Sequence, residues 1–218
     1  MKLFLDTANV NDIEQRLSTG LISGITTNPS LILKSGVDPQ TTYRYIQKLG
    51  IDYISMEVVA DNFTDFIHYG LNLFDNYGSS ATVKLPCTMD GIKACKYLTN
   101  IGVKVNMTLV FSVSQAILCA LAGSTYVSPF VGRMDDNSLS GLDLIGDIAS
   151  IYKLKGVKTK VLAASIRDVK SVGQAFTRGA DICTIPVKVF DDMANHVLTE
   201  KGLAIFTKDF EKSLEKIA

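Results

Sequence analysis

A closed (β/α)8 barrel of the TIM type, with one extra C-terminal helix, is the fold that this sequence predicts. Three observations lead to it. Short apolar, β-branched runs alternate with longer helical patterns from end to end, which argues for parallel strands joined by helices. The alternation repeats eight times in about 200 residues, the small end of the range for such barrels. No Gly-rich phosphate loop follows the first strand, where Asp6-Thr7-Ala8-Asn9 stands, and that disfavours a doubly wound open sheet. No linker, charge block or low-complexity segment divides the 218 residues, so a single domain spanning 1–218 is expected.

The units run as follows. Leu3-Phe4-Leu5 precedes a helix from Asn9 to Ser18, with Asn9 or Asn11 as its cap. Ser23 to Thr27 is followed by a loop with Gly36 and Pro39 and then by Gln40 to Leu49. Tyr53 to Val59 precedes Phe63 to Tyr77, whose apolar positions recur at mostly helical spacing. Ala81 to Leu85 precedes Met89 to Asn100, and Val103 to Val110 precedes Val113 to Ala122. Tyr126 to Phe130 leads through a loop to Leu142 to Leu154. Lys158 to Ala164 precedes Val169 to Arg178, and Ile182 to Pro186 precedes Lys188 to His196. A last amphipathic segment, about 203–217, carries Leu203, Phe206, Phe210, Leu214 and Ile217 as one stripe.

Composition narrows the function classes. Twenty-two basic and twenty-two acidic side chains cancel, which gives no support for nucleic acid or a membrane surface as partner. No run of about 18 apolar residues exists, so no membrane span is expected. The N-terminal apolar run is too short for a signal peptide. Cys87, Cys95, Cys119 and Cys183 never form a Cys-x-x-Cys pair, and reduced core thiols in a cytoplasmic protein is the reading. Two histidines, His68 and His196, are too few for a His-rich metal site, so no metal is expected.

In such barrels the chemistry sits at the C-terminal ends of the strands. Side chains alternate along a strand, so parity sorts each strand end into two faces. One face gathers Phe4 and Asp6; Thr26 and Asn28; Ser55 and Glu57; Thr82 and Lys84; Asn106 and Thr108; Tyr126, Ser128 and Phe130; Ala163, Ser165 and Arg167. Strand eight adds only Thr184. The opposite parity is apolar and would meet the helices. Each polar residue has a structural alternative. Lys84 could snorkel to water, Asp6 could cap the next segment, and Glu57 could form a structural pair with Lys84. Asn28, before Pro29, could close an Asx-turn. Arg133 could pair on the surface with Asp135 or Asp136. Yet Asp6, Glu57, Lys84 and Arg167 on one face are costly unless they pair or catalyse. Acids, hydroxyls and one amine are what an imine-forming site needs. Arg133 and Arg167 together suit an anion, because the guanidinium fork donates bidentately.

Leu5-Asp6-Thr7-Ala8, Gly24-Ile25-Thr26-Thr27-Asn28-Pro29-Ser30, Val83-Lys84-Leu85-Pro86, Val105-Asn106-Met107-Thr108, Tyr126-Val127-Ser128-Pro129-Phe130-Val131-Gly132-Arg133 and Ala163-Ala164-Ser165-Ile166-Arg167 resemble the transaldolase family. The chain length resembles its short subfamily, which also contains fructose-6-phosphate aldolase. The resemblance covers essentially the whole chain. It implies sugar phosphate substrates, a class I Schiff-base mechanism in the pentose phosphate pathway, and no cofactor. Lys84 matches the imine-forming lysine, Glu57 and Thr108 the pair that handles a water, and Asp6 the acid–base at the breaking carbon–carbon bond. Asn28, Asn106 and Ser128 match residues that hold the three-carbon unit. Arg133, Ser165 and Arg167 match phosphate-binding positions. In the aldolase branch position 57 tends to be Gln, 130 Tyr and 167 Lys, so Glu57, Phe130 and Arg167 side with transaldolase. The alternatives are a lyase using the same lysine and a non-catalytic barrel acting as a binding protein. Cys87 stands where the family pattern has Val. The resemblance also implies a homo-oligomer, a ring-like decamer, with the last helix docked on a neighbouring subunit; packing on its own barrel is the alternative.

Overall fold

The structure, a computed structural model, is described for residues 1–215. Eight parallel strands close in sequence order, each bonded to its neighbour and β8 to β1. In chain order they are β1 (Lys2–Asp6), α1 (Val10–Leu17), β2 (Ile22–Thr26), α2 (Pro29–Ser35), α3 (Pro39–Lys48), β3 (Ile54–Glu57), α4 (Phe63–Tyr77), β4 (Ala81–Pro86) and α5 (Met89–Asn100). Then come β5 (Lys104–Val110), α6 (Val113–Leu121), β6 (Tyr126–Pro129), α7 (Val131–Asp135), α8 (Gly141–Lys155), β7 (Lys160–Ala163), α9 (Val169–Thr177), β8 (Ile182–Ile185), α10 (Val187–Asp192) and α11 (Val197–Glu215). The expected barrel is therefore the observed one.

Two elements depart from the expected loops. Residues 29–35 form α2, where Asn28 accepts from the Leu31 N–H and Pro29 occupies the first turn. That is a cap followed by a proline whose missing N–H costs nothing there. Five residues after Phe130 form α7, too short to show a helical period. Of the two candidate caps for α1, Asn9 is the one used, accepting from the Asn11 and Asp12 N–H groups.

The alternation of each strand separates two cores. Leu5, Ile25, Ile54, Met56, Val83, Leu85, Val105 and Met107 point outward and are sealed by helices. Each side chain of that size stabilises by about 1.5–3 kcal/mol when fully buried. Phe4, Tyr126, Leu162, Ala164 and Ile182 fill the barrel interior. Gly24 is needed here, because a Cβ at that position would lie 2.7 Å from the Phe4 ring. With the lower barrel plugged, polar side chains at the strand tops face a cavity instead of a channel.

Strand β7 corrects the parity expectation. Leu162 and Ala164 point inward, while Ala163 and Ile166 pack outward against helices. The expected inward set was Ala163, Ser165 and Arg167. Ser165 nevertheless reaches the cavity, since its backbone is left-handed at φ 58. A residue in that region breaks the period of two, so the parity beyond β7 no longer follows from counting. Leu109 does the same near the end of β5 at φ 56, after Asn106 and Thr108 have been placed.

Helix α11 buries none of its residues. Leu203, Phe206, Phe210 and Leu214 are all more than half exposed. Packing of this helix across its own barrel is thus not observed; Ile217, the last member of the expected stripe, lies outside the described residues. Among the described residues no helix is long and apolar enough to cross a membrane.

Candidate active site

The tops of the strands enclose a cavity of about 150 Å³. Asp6, Thr26, Asn28, Lys84, Asn106, Thr108, Ser128, Phe130, Arg133, Leu162, Ala164, Ser165 and Thr184 line it. A larger cavity of about 830 Å³ lies at the opposite end, around Tyr53, Lys104 and Lys160. Its lining offers lysines and one aspartate but no amine buried beside an acid; Asp181 is already engaged by Lys160 and by the Val161 N–H. The smaller cavity holds the convergent groups, and size does not outweigh that.

Lys84 lies at its floor. β4 presents Thr82 and Lys84 to one side and Val83 and Leu85 to the other, and the flat register with β3 and β5 puts Lys84 beside Glu57 and Asn106. The lysine is only 6% exposed. Its Nζ donates to Glu57 Oε2 at 3.1 Å and to the Thr27 carbonyl at 3.0 Å. An ammonium has three donors, and two are satisfied by protein. Glu57 in turn borders an adjoining apolar cleft beside Ile32, Leu33 and Tyr43.

Asp6 ends β1 and accepts from the Thr26 hydroxyl at 2.7 Å; Thr26 is also 2.6 Å from Thr184. Burial pushes the Asp6 carboxyl above the ordinary 3.8; the Thr26 hydrogen bond and Lys84 oppose this, and the Glu57 charge adds to it. The residue is partly exposed and lines both this cavity and a neighbouring cleft with Asn9, Pro186 and Lys188. Such a group keeps its proton to higher pH than a solvated aspartate.

A polar chain crosses the floor. Ser128 Oγ lies 2.6 Å from Asn106 Oδ1, and Asn106 Nδ2 donates to Ser55 Oγ at 3.2 Å. This fixes the Asn106 amide. Thr108 Oγ1 is buried with no partner among the described residues. An unsatisfied buried hydroxyl costs about 1–3 kcal/mol, and one aimed into a cavity is a group free for a ligand or water.

At the rim, the Arg133 guanidinium packs over the Phe130 ring, 5.2 Å from its centroid. Phe130 also meets Phe111 edge-on at 5.8 Å. Asn28 has two roles: it caps α2, as the Asx-turn alternative has it, and it lines the cavity. Arg167 is not brought into the lining. It is exposed and its guanidinium forms a bidentate pair with Asp136. So the expected partnership of two arginines is divided: Arg133 faces the cavity and Arg167 stands beside it, tied to a carboxylate. The sequence placed Thr26, Ser55 and Thr184 on the polar face but assigned them no role; the structure puts Thr26 on Asp6, Thr184 by Thr26 and Ser55 on Asn106. The Thr27 carbonyl that holds Lys84 has no side-chain signal at all.

The sequence profile described as "Transaldolase/Fructose-6-phosphate aldolase" matches residues 3–217. The chain belongs to that family. Similar proteins carry the name "Probable transaldolase". One from Dinoroseobacter shibae is 49% identical over 217 residues, covering 100% of each chain. Relatives from Symbiobacterium thermophilum and Chelativorans sp. are 46% and 45% identical over the same span, again with full coverage. A transaldolase/fructose-6-phosphate aldolase family barrel thus presents here a buried lysine, Asp6 and a phenyl ring around one small cavity, with Glu57 bonded to that lysine from the adjoining cleft. Among the described residues no group of three or more His, Cys, Asp or Glu side chains is placed to hold a metal ion.

Proposed function

We propose that the chain is a transaldolase, transferring a dihydroxyacetone unit from a ketose phosphate to an aldose phosphate through an imine on Lys84. Sedoheptulose 7-phosphate or fructose 6-phosphate would be the donor, in the pentose phosphate pathway of the cytoplasm. The observation that carries this reading is Lys84: an amine buried at the floor of the cavity, hydrogen-bonded to Glu57, within the Asp6 and Thr108 setting.

The steps follow from these groups. Lys84 passes one proton to Glu57, and its neutral amine attacks the C2 ketone; a second nitrogen proton moves to the C2 oxygen, giving the carbinolamine. Glu57 returns its proton to that hydroxyl, which leaves as water, held by Glu57 and the Thr108 hydroxyl. The resulting iminium is the electron sink. Asp6 takes the proton of the C4 hydroxyl, the C3–C4 bond breaks, and its electrons form the enamine on Lys84. The aldose departs. Asn28, Asn106 and Ser128 hold the hydroxyls of the three-carbon unit. An incoming aldose phosphate is attacked by the enamine, and the steps reverse. Arg133 and Ser165 meet the phosphate, with Arg167 joining them by exchanging Asp136 for the phosphate oxygens.

Product analysis tests the reading. Fructose 6-phosphate alone should give little free dihydroxyacetone. Adding erythrose 4-phosphate should yield sedoheptulose 7-phosphate and glyceraldehyde 3-phosphate. Rapid dihydroxyacetone release without acceptor would make the enzyme a lyase, the other activity in the family description. No reaction in either case would leave a barrel that only binds.

The Asp6 environment carries a pH expectation. A raised pKa means the carboxyl keeps its proton to higher pH than an ordinary aspartate, so its base form is lost as pH falls through a value above 3.8. The acidic limb of kcat/KM should lie above that value and should disappear in Asp6→Asn, whose residual rate should fall by roughly 10²–10⁴-fold. An acidic limb unchanged in Asp6→Asn would remove Asp6 from this role.

The exposed stripe of α11 supports a homo-oligomer in which this helix docks on a neighbouring subunit, as in a ring-like decamer. An apolar face of that extent is rarely left in water. Truncation before Leu203 should leave the barrel folded and reduce the mass in multi-angle light scattering to that of a smaller species. An unchanged mass would exclude α11 from the interface.

A further inference from the structure

Cys87 and Cys119 stand outside the catalytic cavity and play no part in the proposed steps. Their sulfurs are 3.6 Å apart. Cys87 follows the last residue of β4, three residues beyond Lys84, and is partly buried; Cys119 is buried on α6. The Cys87 thiol also lies 4.0 Å from the Gln115 carbonyl, one helical turn before Cys119, so it points at that face of α6. We propose that these two thiols are an oxidant-sensitive pair, closing into a disulfide that slows the site at the end of β4.

Several features single out this pair among the four cysteines. Cys87 immediately precedes Thr88, the cap of the 12-residue α5, so its backbone leads into the positive end of that helix while its sulfur lies against α6. A hydrogen bond from Cys119 holds the Cys87 thiol below the ordinary 9.0, against burial. Cys95 and Cys183 are fully buried, and burial pushes both up to about 12. Of the four, Cys87 alone combines a lowered thiol with partial access.

The chemistry balances with a hydroperoxide as oxidant. The Cys87 thiolate attacks one peroxide oxygen, the O–O bond breaks, and hydroxide leaves, giving a sulfenic acid. Cys119 then attacks the Cys87 sulfur and water departs. Two thiols and hydrogen peroxide become one disulfide and two waters; the sulfurs lose two electrons and the peroxide gains them. A small dithiol reverses it by exchange. A disulfide needs its sulfurs about 2.05 Å apart, so the pair must close by roughly 1.5 Å. That closure pulls on the Cys87 backbone, whose N–H donates to the Thr108 carbonyl at 2.9 Å. The backbone there has little slack on the other side. Gly91 of α5 approaches the Pro86 carbonyl so closely that a Cβ would lie 2.1 Å from it. The displacement therefore passes to Thr108 and back along β4 to Lys84. Misplacing reacting groups by about 1 Å can cost up to 10²-fold in rate.

The activity readout rests on the transaldolase reading; the cross-link does not. Protein treated with a few equivalents of hydrogen peroxide should yield, in a non-reducing peptide mass map, one linked species joining the Cys87 and Cys119 peptides with two hydrogens lost. Transfer activity should fall roughly tenfold and return on adding dithiothreitol. Cys87→Ala, a small change at a position that is not fully buried, should keep the reduced activity and lose the peroxide response. Several results would overturn the proposal. These are a Cys87 sulfinic acid without the link, no modification of Cys87, a link with unchanged activity, or an equal activity loss in Cys87→Ala. If the reduced enzyme shows no transfer activity, the functional reading fails separately. The mass map still decides whether the dithiol closes.

Discussion

Replacing Lys84 by methionine abolishes imine formation. Wild-type protein incubated with fructose 6-phosphate and borohydride should gain the mass of a reduced sugar adduct on the peptide containing Lys84. Lys84→Met should gain none, and its turnover should drop on the order of 10⁴-fold or more, as when other enzymes lose their nucleophile. Methionine keeps most of the alkyl stem, so the outward packing of Val83 and Leu85 is untouched. What it removes is the donor to Glu57 and to the Thr27 carbonyl. Leaving such acceptors unpaired should cost about 1–3 kcal/mol, which a folded barrel survives and circular dichroism can check. Glu57 is still 17% exposed by its side chain, toward open space, and can take up solvent. An adduct in Lys84→Met, or one on another lysine of the wild type, would move the nucleophile elsewhere.

Introducing a hydroxyl at the cavity wall should redirect the captured three-carbon unit. Phe130 lines the cavity and is wedged between Phe111 and Arg133, with no group able to give a proton. The enamine on Lys84 therefore waits for an acceptor aldehyde. In Phe130→Tyr a phenol stands at the wall and can protonate the enamine carbon, so that hydrolysis releases free dihydroxyacetone. General acid catalysis of this kind contributes roughly 10²–10⁴-fold, and the ratio of release to transfer should rise by roughly 10²-fold. The measurement is dihydroxyacetone formed from fructose 6-phosphate without acceptor, set against transfer to erythrose 4-phosphate. An unchanged ratio would show that the proton reaches the enamine by another route, and the choice of chemistry would then rest on other residues. Position 130 is a sharper probe than the fold, since one barrel supports many activities.

Most of the barrel was legible because its signals are local. A period of two on the strands and 3.6 on the helices is written directly in the order of apolar residues. Asp6, Glu57, Lys84, Asn106, Thr108 and Ser128 all sit on regular strands, and counting by twos put them on one face, where the structure has them. Counting failed where the backbone left the regular regions. At Ser165 a left-handed residue resets the parity, so Leu162 and Ala164 face inward and Arg167 emerges beyond the reach of the rule. Helix α2 was missed although its cap and first-turn proline were in view. Helix α7 offered only five residues, too few for any period.

By itself the sequence determined the strand–helix order, the closure into a barrel, and a family motif at almost every strand end. These follow from hydrophobic spacing and from short stretches whose conformation their own residues dictate. Only the tertiary structure decided which groups touch. It placed the Thr27 carbonyl and Glu57 on Lys84, gave Thr26 to Asp6, left the Thr108 hydroxyl free, and tied Arg167 to Asp136 while Arg133 kept the cavity. It also set Cys87 against Cys119, which no spacing suggests. Such pairings join residues from different strands and helices. They depend on register, backbone twist and the depth of burial, and none of these is encoded in any single stretch of the chain.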